Sequence, residues 1–277
     1  MCDIWRKPPA AELSTSEIDQ FFRQNRNFSW INLSGGELFL RPDFPDILSI
    51  INRYCRRLLL LNFPTNGLLT ERIVSTIQGL LQYRKFPRFL VTISLDGPPE
   101  IHDRIRGLSG SWERATETFL ALRKIQSHGF QSFFGMTLQQ SNLGCFSETL
   151  EALRRKIPDV SANDFHVNLA QSSEHYYGNC STIIPPDISE TVKHLESSWQ
   201  QRLHSWLNPV SWLEISYQKR IPLFLQSGKT PLPCQALSAS FFLDPTGTVF
   251  PCSMFNRPIG SLRECDFDLD TIWAGPL

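Results

Sequence analysis

The chain of 277 residues lacks several features that mark other classes of protein. It carries 27 basic and 27 acidic residues, so no excess charge of either sign favours nucleic acid or an anionic membrane as a partner. No apolar run approaches the ~20 residues that a membrane-spanning helix needs. The first residues, MCDIWRKPPAAEL, contain no apolar stretch typical of a secretory signal. We therefore expect a cytoplasmic protein that binds neither nucleic acid nor membrane.

The remaining composition is that of an ordinary globular protein, with 41% hydrophobic and 19% charged residues. The cysteines number seven and include no CxxC pair, which disfavours a disulfide framework and a tight zinc site. Such a set suggests metal ligands together with buried thiols. Cys55 and Cys145 lie in or near predicted helices, and we expect them to be structural.

The stretch WINLSGGELFLRP, residues 30–42, contains a short apolar run that ends at two glycines and an acid. Such a run is typical of a buried parallel strand. Gly35 and Gly36 lack a Cβ, so the backbone can turn sharply and a ligand can approach it closely. Glu37 then stands at the carboxyl end of a strand, where α/β folds build their sites. Taken alone, the pattern fits a plain strand-to-helix turn equally well.

Five apolar strands alternate with helices over residues 14–170. The strands are predicted at 30–33, 57–63, 89–95, 130–138 and 164–170. The helices are predicted to begin near 14 and at 43 or 45, and to span 70–83, 111–128 and 145–156. This alternation predicts parallel strands joined by right-handed crossovers. A polar or glycine residue follows every strand, which favours a barrel or partial barrel over an open sheet. Two further helices are predicted between 185 and 226, with a break at Asn208 and Pro209.

Four segments taken together resemble the radical S-adenosylmethionine (SAM) enzymes: MCDIW, LSGGELFLR, FPTNGLL and VTISLDGPPEIHDRIRG. Their order and approximate spacing match that family from residue 2 to about residue 170. The resemblance implies an α/β fold with a partial (β/α)6 barrel. It also implies a [4Fe–4S] cluster on three thiolates and bound SAM, which an electron donor and the cluster cleave to a 5′-deoxyadenosyl radical.

The resemblance also implies a set of SAM contacts, which are Gly35, Gly36, Glu37, Ser94, Asp96 and Arg114. Glu37 would accept hydrogen bonds from the SAM amino group. Ser94 matches a SAM-contacting position, and Asp96 would reach either SAM or substrate. Arg114 could pair with the SAM carboxylate or be a solvated helix arginine, and the residues leave both open.

Other polar residues near the strand ends have two interpretations each. Thr65 and Asn66 line the pocket or simply form a turn. His102 belongs to the family's usual sequence, and we expect it on a surface loop. His166 and Asn168 alternate with apolar residues on the fifth strand, and we expect satisfied core polar groups there in preference to pocket residues.

Cys2 matches the third cysteine of the family's CxxxCxxC loop, and the first two have no counterpart in the chain. The barrel would likewise lack its first strand. We therefore expect a truncated or mis-started form of a longer enzyme, in preference to a degenerate relative that has no cluster.

The segment from Cys234 to Cys252 predicts a β-hairpin with a turn at residues 244–247. Twelve residues separate Cys234 from Gly247 and four separate Gly247 from Cys252, a spacing that resembles the SPASM or twitch extension of radical SAM enzymes. The resemblance implies that Cys234, Cys252 and Cys265 bind an auxiliary iron–sulfur cluster. A zinc site and incidental thiols are the alternatives. As in the first half of the chain, this match is incomplete.

We accordingly expect three parts: a core at 1–185, a helical connector at 186–230 and an incomplete extension at 231–277. The favoured function is a radical SAM oxidoreductase that modifies a peptide or a cofactor precursor. The alternative is a non-catalytic relative or fragment that binds SAM or a peptide.

Overall fold

The computed structural model describes residues 2–6, 10–181, 187–202 and 209–274. Its centre is a parallel sheet whose five strands follow one another in chain order: β1 (Trp30–Asn32), β2 (Leu60–Thr65), β3 (Arg88–Ser94), β4 (Phe130–Leu138) and β5 (Phe165–Leu169). The sheet curls into a half-barrel, which confirms the predicted partial barrel of parallel strands.

Helices connect the strands and continue beyond the sheet. They are α1 (Thr15–Gln24), α2 (Phe44–Tyr54), α3 (Thr70–Tyr83), α4 (Pro99–Arg106), α5 (Ser111–Arg123), α6 (Phe146–Arg154), α7 (Ile188–Arg202), α8 (Pro209–Gln218), α9 (Ile221–Ser227) and α10 (Leu269–Ala274). Helix α1 begins as predicted, because Ser14 and Glu17 form a reciprocal capping box. Among the described residues, no helix is long and apolar enough to cross a membrane.

The two faces of the sheet differ in burial, because successive side chains of a strand point to opposite sides. The outer face packs against the helices and carries fully buried residues such as Phe63, Val91 and Phe134. The inner face of the half-barrel, which we name the concave face, is only partly buried. It carries Asn62, Thr92, Ser94, Gly135, Thr137, His166 and Asn168. The same face also carries the apolar Leu60, Leu90 and Phe133, so the sheet turns a mixed and partly accessible surface inward.

A small antiparallel sheet follows, with strands β6 (Phe242–Leu243), β7 (Thr248–Phe250) and β8 (Gly260–Ser261). It is anchored to the segment around α1. The Leu13 amide donates to the Pro245 carbonyl at 2.7 Å, and Arg263 pairs with Glu17 at 2.7 Å. The first and last parts of the described chain are thus packed together.

Several element boundaries differ from the predictions. Strand β2 begins at Leu60 instead of residue 57, and α5 ends at Arg123 instead of residue 128. Residues 99–106, which were expected to be a loop, form α4, because a proline at the first helical position fits the helix start. The described residues 187–202 and 209–230 contain three helices where two were predicted, and the predicted break at Asn208 lies outside the described residues. Strand β8 and helix α10 were not predicted.

Candidate functional site

The Glu37 carboxylate joins the loops that follow β1 and β2. Its Oε1 accepts hydrogen bonds from the Thr65 hydroxyl at 2.9 Å and from the Phe39 amide at 3.3 Å. Its Oε2 accepts one from the Asn66 amide at 2.6 Å. Thr65 and Asn66 therefore form both a turn and part of the site. A carboxylate has about four acceptor positions, so Oε2 can accept a further donor beyond those that the described residues supply.

The surroundings of Glu37 shift its pKa in both directions. Burial raises the pKa of Glu37, while the three hydrogen bonds and the positive charge of Arg106 act in the opposite direction. Burial has the larger effect, so the pKa stays above its ordinary value. A positively charged ligand group at this position would stabilise the ionised carboxylate.

Gly35 and Gly36 border open space. Gly35 has a φ of +149°, which only glycine adopts readily, and both residues are exposed. No atom lies within 4 Å of the position that a Cβ would take on either residue. The backbone of this loop is therefore accessible to a ligand, as the sequence predicted.

Cys2 lies close to the same loop. The Asp3 amide donates to the Tyr177 carbonyl at 2.7 Å, and the Ser34 hydroxyl is hydrogen-bonded to that of Tyr176. Burial raises the pKa of Tyr176, and its hydrogen bond with Ser34 acts in the opposite direction. The chain thus brings its one matching cysteine to the glycine loop.

Ser94, the last residue of β3, and Asp96, which follows the strand, differ in their burial. Ser94 is half-buried on the concave face, whereas Asp96 is fully buried. The Arg106 guanidinium pairs with Asp96 Oδ2 at 2.5 Å, and the Thr137 amide donates to Asp96 Oδ1 at 3.0 Å. Asp96 therefore stabilises the strand end internally, and its carboxylate reaches no open surface.

His102 was expected on a surface loop, and this prediction is wrong. It lies on α4 with 1% of its surface exposed, and its Nδ1 accepts a hydrogen bond from the Asp96 amide at 3.0 Å. Burial lowers the pKa of His102 to about 4, so the ring is neutral at physiological pH. Periodicity around Ile101 and Ile105 could have indicated the helix that buries it.

Two arginines near the site differ in their placement. Arg114 is exposed at the beginning of α5. Arg106 lies between Asp96, with which it pairs, and Glu37, on whose carboxylate its charge acts. Arg106 is therefore the arginine that the fold places beside the glycine loop. The sequence analysis missed it, although it stands within the quoted DRIRG segment.

His166 and Asn168 were expected to be core polar groups, but both lie partly exposed on the concave face. The Nδ1 of His166 lies 2.6 Å from Glu214 Oε2, and the Tyr217 hydroxyl donates to Asn168 Oδ1 at 3.2 Å. Both partners come from α8, which packs along β5. Nothing in the sequence pairs these distant positions.

The chain resembles two curated proteins along most of its length. It is 24% identical to the antilisterial bacteriocin subtilosin biosynthesis protein AlbA of Bacillus subtilis (strain 168), over 100% of this chain and 56% of that protein. It is 26% identical to the AdoMet-dependent heme synthase of Methanosarcina barkeri (strain Fusaro / DSM 804), over 94% of this chain and 73% of that protein. The chain thus spans little more than half the length of AlbA. No protein-family model matches it.

Solved structures of one enzyme share the fold. Native anSMEcpe with bound AdoMet superimposes with a TM-score of 0.63 over 99% of this chain and 77% of that chain, at 15% identity. Its complex with AdoMet and the Kp18Cys peptide has the same TM-score at 16% identity. These similarities support the assignment of this chain to the radical SAM superfamily. The glycine loop and Glu37 follow β1, at a strand end, as the sequence indicated.

The cysteines that the structure describes are dispersed. Cys55 and Cys145 are buried as predicted, and burial raises the pKa of Cys55 to about 12. Cys252 accepts a hydrogen bond from the Met254 amide at 3.4 Å, directly after β7, whereas Cys234 is exposed and precedes β6 by eight residues. The hairpin therefore carries a cysteine close to one end only. Cys265 is half-buried near Leu262.

A test of cluster binding follows from these positions. In the described ranges, no three His, Cys, Asp or Glu side chains lie together in a way that could hold a metal ion. The described residues thus do not fit a three-thiolate cluster by themselves, either at Cys2 or in the C-terminal segment. They do fit the amino acid part of SAM, because Glu37 offers an acceptor beside an open glycine backbone.

Proposed function

We propose that the chain binds SAM on the concave face and forms the SAM-binding part of a radical SAM oxidoreductase. The observation that carries this proposal is the Glu37 carboxylate, which is held by two loops and stands next to the open backbone of Gly35 and Gly36. The name of the heme synthase states its dependence on AdoMet, and the anSMEcpe structures hold AdoMet, which supports the assignment.

Each residue has a defined task in this proposal. Glu37 accepts a charge-assisted hydrogen bond from the SAM ammonium and so fixes the orientation of the ligand. Gly35 and Gly36 leave room for SAM to approach the main chain. Ser94 contacts SAM from the end of β3, and Arg106 contributes positive charge near the carboxylate of the ligand. Arg114 and Asp96 have no direct contact with SAM in this arrangement.

Iron–sulfur cofactors complete the proposal. In the family, a [4Fe–4S] cluster and SAM together supply the 5′-deoxyadenosyl radical, with an electron from an external donor. The described residues contribute one thiol near the loop, that of Cys2, so no step of the reaction is assigned to them through a cluster. We also propose that Cys252 and Cys265, with Cys234, belong to a SPASM-like extension at 231–277 that follows a core at 1–185 and a connector at 186–230.

The substrate class follows from the relatives. AlbA takes part in the biosynthesis of a bacteriocin, and anSMEcpe has been solved with bound peptides. The chain therefore modifies a peptide in our proposal, with a small cofactor precursor as the second choice because of the heme synthase.

The experiment is an anaerobic one on the full chain. After incubation with iron and sulfide, bound iron is counted, SAM binding is measured by equilibrium dialysis, and 5′-deoxyadenosine is assayed with dithionite. Saturable binding of SAM is the expected result, and formation of 5′-deoxyadenosine in step with bound iron would show in addition that the chain acquires a working cluster. Binding of SAM without its cleavage would indicate the non-catalytic alternative, and absence of SAM binding would contradict the proposal as a whole.

A further inference from the structure

The concave face carries a hydrogen-bonded pair, His166 and Glu214, that the proposed function does not use. His166 Nδ1 lies 2.6 Å from Glu214 Oε2. The other carboxylate oxygen of Glu214 accepts hydrogen bonds from the Val167 amide at 2.8 Å and from the Gln218 amide group at 2.7 Å. Glu214 has 8% of its side chain exposed. The carboxylate is therefore buried, and three donors fix its orientation.

The protonation state of the pair follows from these contacts. Burial alone would raise the pKa of Glu214, but the hydrogen bonds from His166, Val167 and Gln218 more than offset it, and the pKa lies below its ordinary value. Glu214 is thus ionised at neutral pH and can only accept hydrogen bonds. In its neutral form, an imidazole that faces this carboxylate through Nδ1 carries its proton on Nδ1 and has its lone pair on Nε2.

The His166 side chain is partly accessible on the concave face. The His166 side chain is 42% exposed, and its buried part faces Glu214 and the ring of Tyr217, which is stacked at 6.0 Å. Among the described residues, Glu214 and Tyr217 are the titratable groups found in contact with the ring, and none is bonded to Nε2. A ligand on this face can therefore reach the lone pair.

The strand register places His166 in the same row as Ser94. Ser94 is paired with Gly135, and Gly135 is paired with His166. The two side chains are thus separated by two strand spacings of about 4.8 Å each, or roughly 10 Å. The residue between them has no side chain, and a Cβ there would lie 2.5 Å from Thr92 Cγ2. The Thr92 side chain therefore occupies the space over Gly135, and the row has a SAM-contacting candidate on one side of it and an imidazole on the other.

Glu214 has a structural role at the edge of the sheet, but that role does not account for its contact with His166. Strand β5 is at the edge of the described parallel sheet, and its Val167 amide would lack a partner without Glu214. Glu214 Oε1 satisfies that amide on its own. The second oxygen is directed to His166, and an edge cap needs no accessible histidine at that position.

We propose that His166 is a proton acceptor for the substrate on the concave face and that Glu214 is the residue that positions it. The ligand group is a thiol, hydroxyl or ammonium of a peptide. Nε2 takes the proton from that group, the resulting imidazolium is stabilised by Glu214, and the proton passes to water after release of the ligand. This inference depends on the proposed function only for the identity of the ligand.

The first test is the tautomer of His166 in the full chain, measured by two-bond ¹H–¹⁵N NMR with ¹⁵N-labelled histidine. The signals are assigned by their loss in His166→Gln. We expect a protonated Nδ1 and an unprotonated Nε2. In Glu214→Gln the new side-chain oxygen should keep the hydrogen bonds from Val167 and Gln218. The NH₂ group then faces His166 Nδ1, which must accept its hydrogen bond. The ring proton should therefore move to Nε2. A proton on Nε2 in the wild type, or the same tautomer in both proteins, would overturn the proposal.

The second test is modification by diethyl pyrocarbonate, followed residue by residue with mass spectrometry. His166 should react in the free protein, and saturating SAM together with the Kp18Cys peptide should slow its reaction by about fivefold, because ligand sites bury most of the ligand and of the groups around it. The exposed His128 serves as the internal control and should not change. If dialysis shows bound SAM and His166 reacts at an unchanged rate, the inference fails while the proposed function stands. If SAM does not bind, the proposed function fails. The tautomer measurement alone then tests whether Glu214 positions His166 as a proton acceptor.

Discussion

The substitution Gly36→Ala tests the SAM site with little risk to the fold. A Cβ on this residue meets no atom within 4 Å, and Gly36 is absent from the glycines with positive φ, so the alanine is not strained. Such a substitution leaves the folded chain as stable or adds about 0.4–1 kcal/mol. In the complex, however, the methyl group would occupy space that SAM takes. Overpacking of this kind costs about 1–3 kcal/mol.

That cost corresponds to a Kd for SAM that rises roughly 5- to 150-fold. The assay is equilibrium dialysis with labelled SAM, together with urea unfolding of both proteins. Gly79→Ala is the matched control, because Gly79 lies inside α3 and a Cβ there also meets nothing within 4 Å. We expect it to leave the Kd unchanged. If Gly36→Ala binds SAM as tightly as the wild type, SAM does not approach this backbone and the assignment of the loop is incorrect.

Three further predictions concern stability. Gly67→Ala should lower the free energy of unfolding, measured in urea, by about 2–4 kcal/mol, because Gly67 has a φ of +76° and a Cβ there would lie 2.8 Å from Ile93 Cγ2. An unchanged midpoint of the urea transition would contradict this geometry. Because burial raises the pKa of Glu37 in the folded chain, the native state binds more protons than the unfolded state just above pH 4.5, and stability should fall as pH rises there. Glu37→Gln should flatten this part of the curve in pH-dependent urea titrations. The hydrogen bond from Arg263 lowers the pKa of Glu17 to about 2, so its stabilising effect is present above pH 4.5 and is lost as pH falls towards 2. Arg263→Ala should reduce the melting temperature at pH 7 by more than at pH 2.

The sequence predicted those features that depend on neighbours in the chain. Alternating apolar strands and helices gave the parallel sheet, and the capping residues gave the start of α1. The glycines and Glu37 were placed correctly at a strand end because a turn and its strand are adjacent in sequence. The loop predicted for residues 99–106 failed because consecutive prolines indicate both loops and helix starts.

Contacts between distant residues could not be predicted in this way. The alternation of β5 shows that His166 and Asn168 share a face, but the contact with Glu214 spans 48 residues and depends on where α8 packs. The exposure of Arg114 and the burial of Asp96 likewise follow from the packing of α4 and α5 against the strand ends. Side-chain roles at such positions become visible only when the helices are in place.

The loop after β5 connects the SAM site with the C-terminal strands. Tyr176 is hydrogen-bonded to Ser34 beside the glycines, and the neighbouring His175 stacks on Phe250 of β7 with ring centroids 4.0 Å apart. The His175 ring is also hydrogen-bonded to Asn256 at 2.9 Å. Adjacent residues of one loop therefore contact the glycine loop and the C-terminal sheet. A displacement of β7 must move this loop or break the stack, so the C-terminal strands are coupled to the position of the glycine loop.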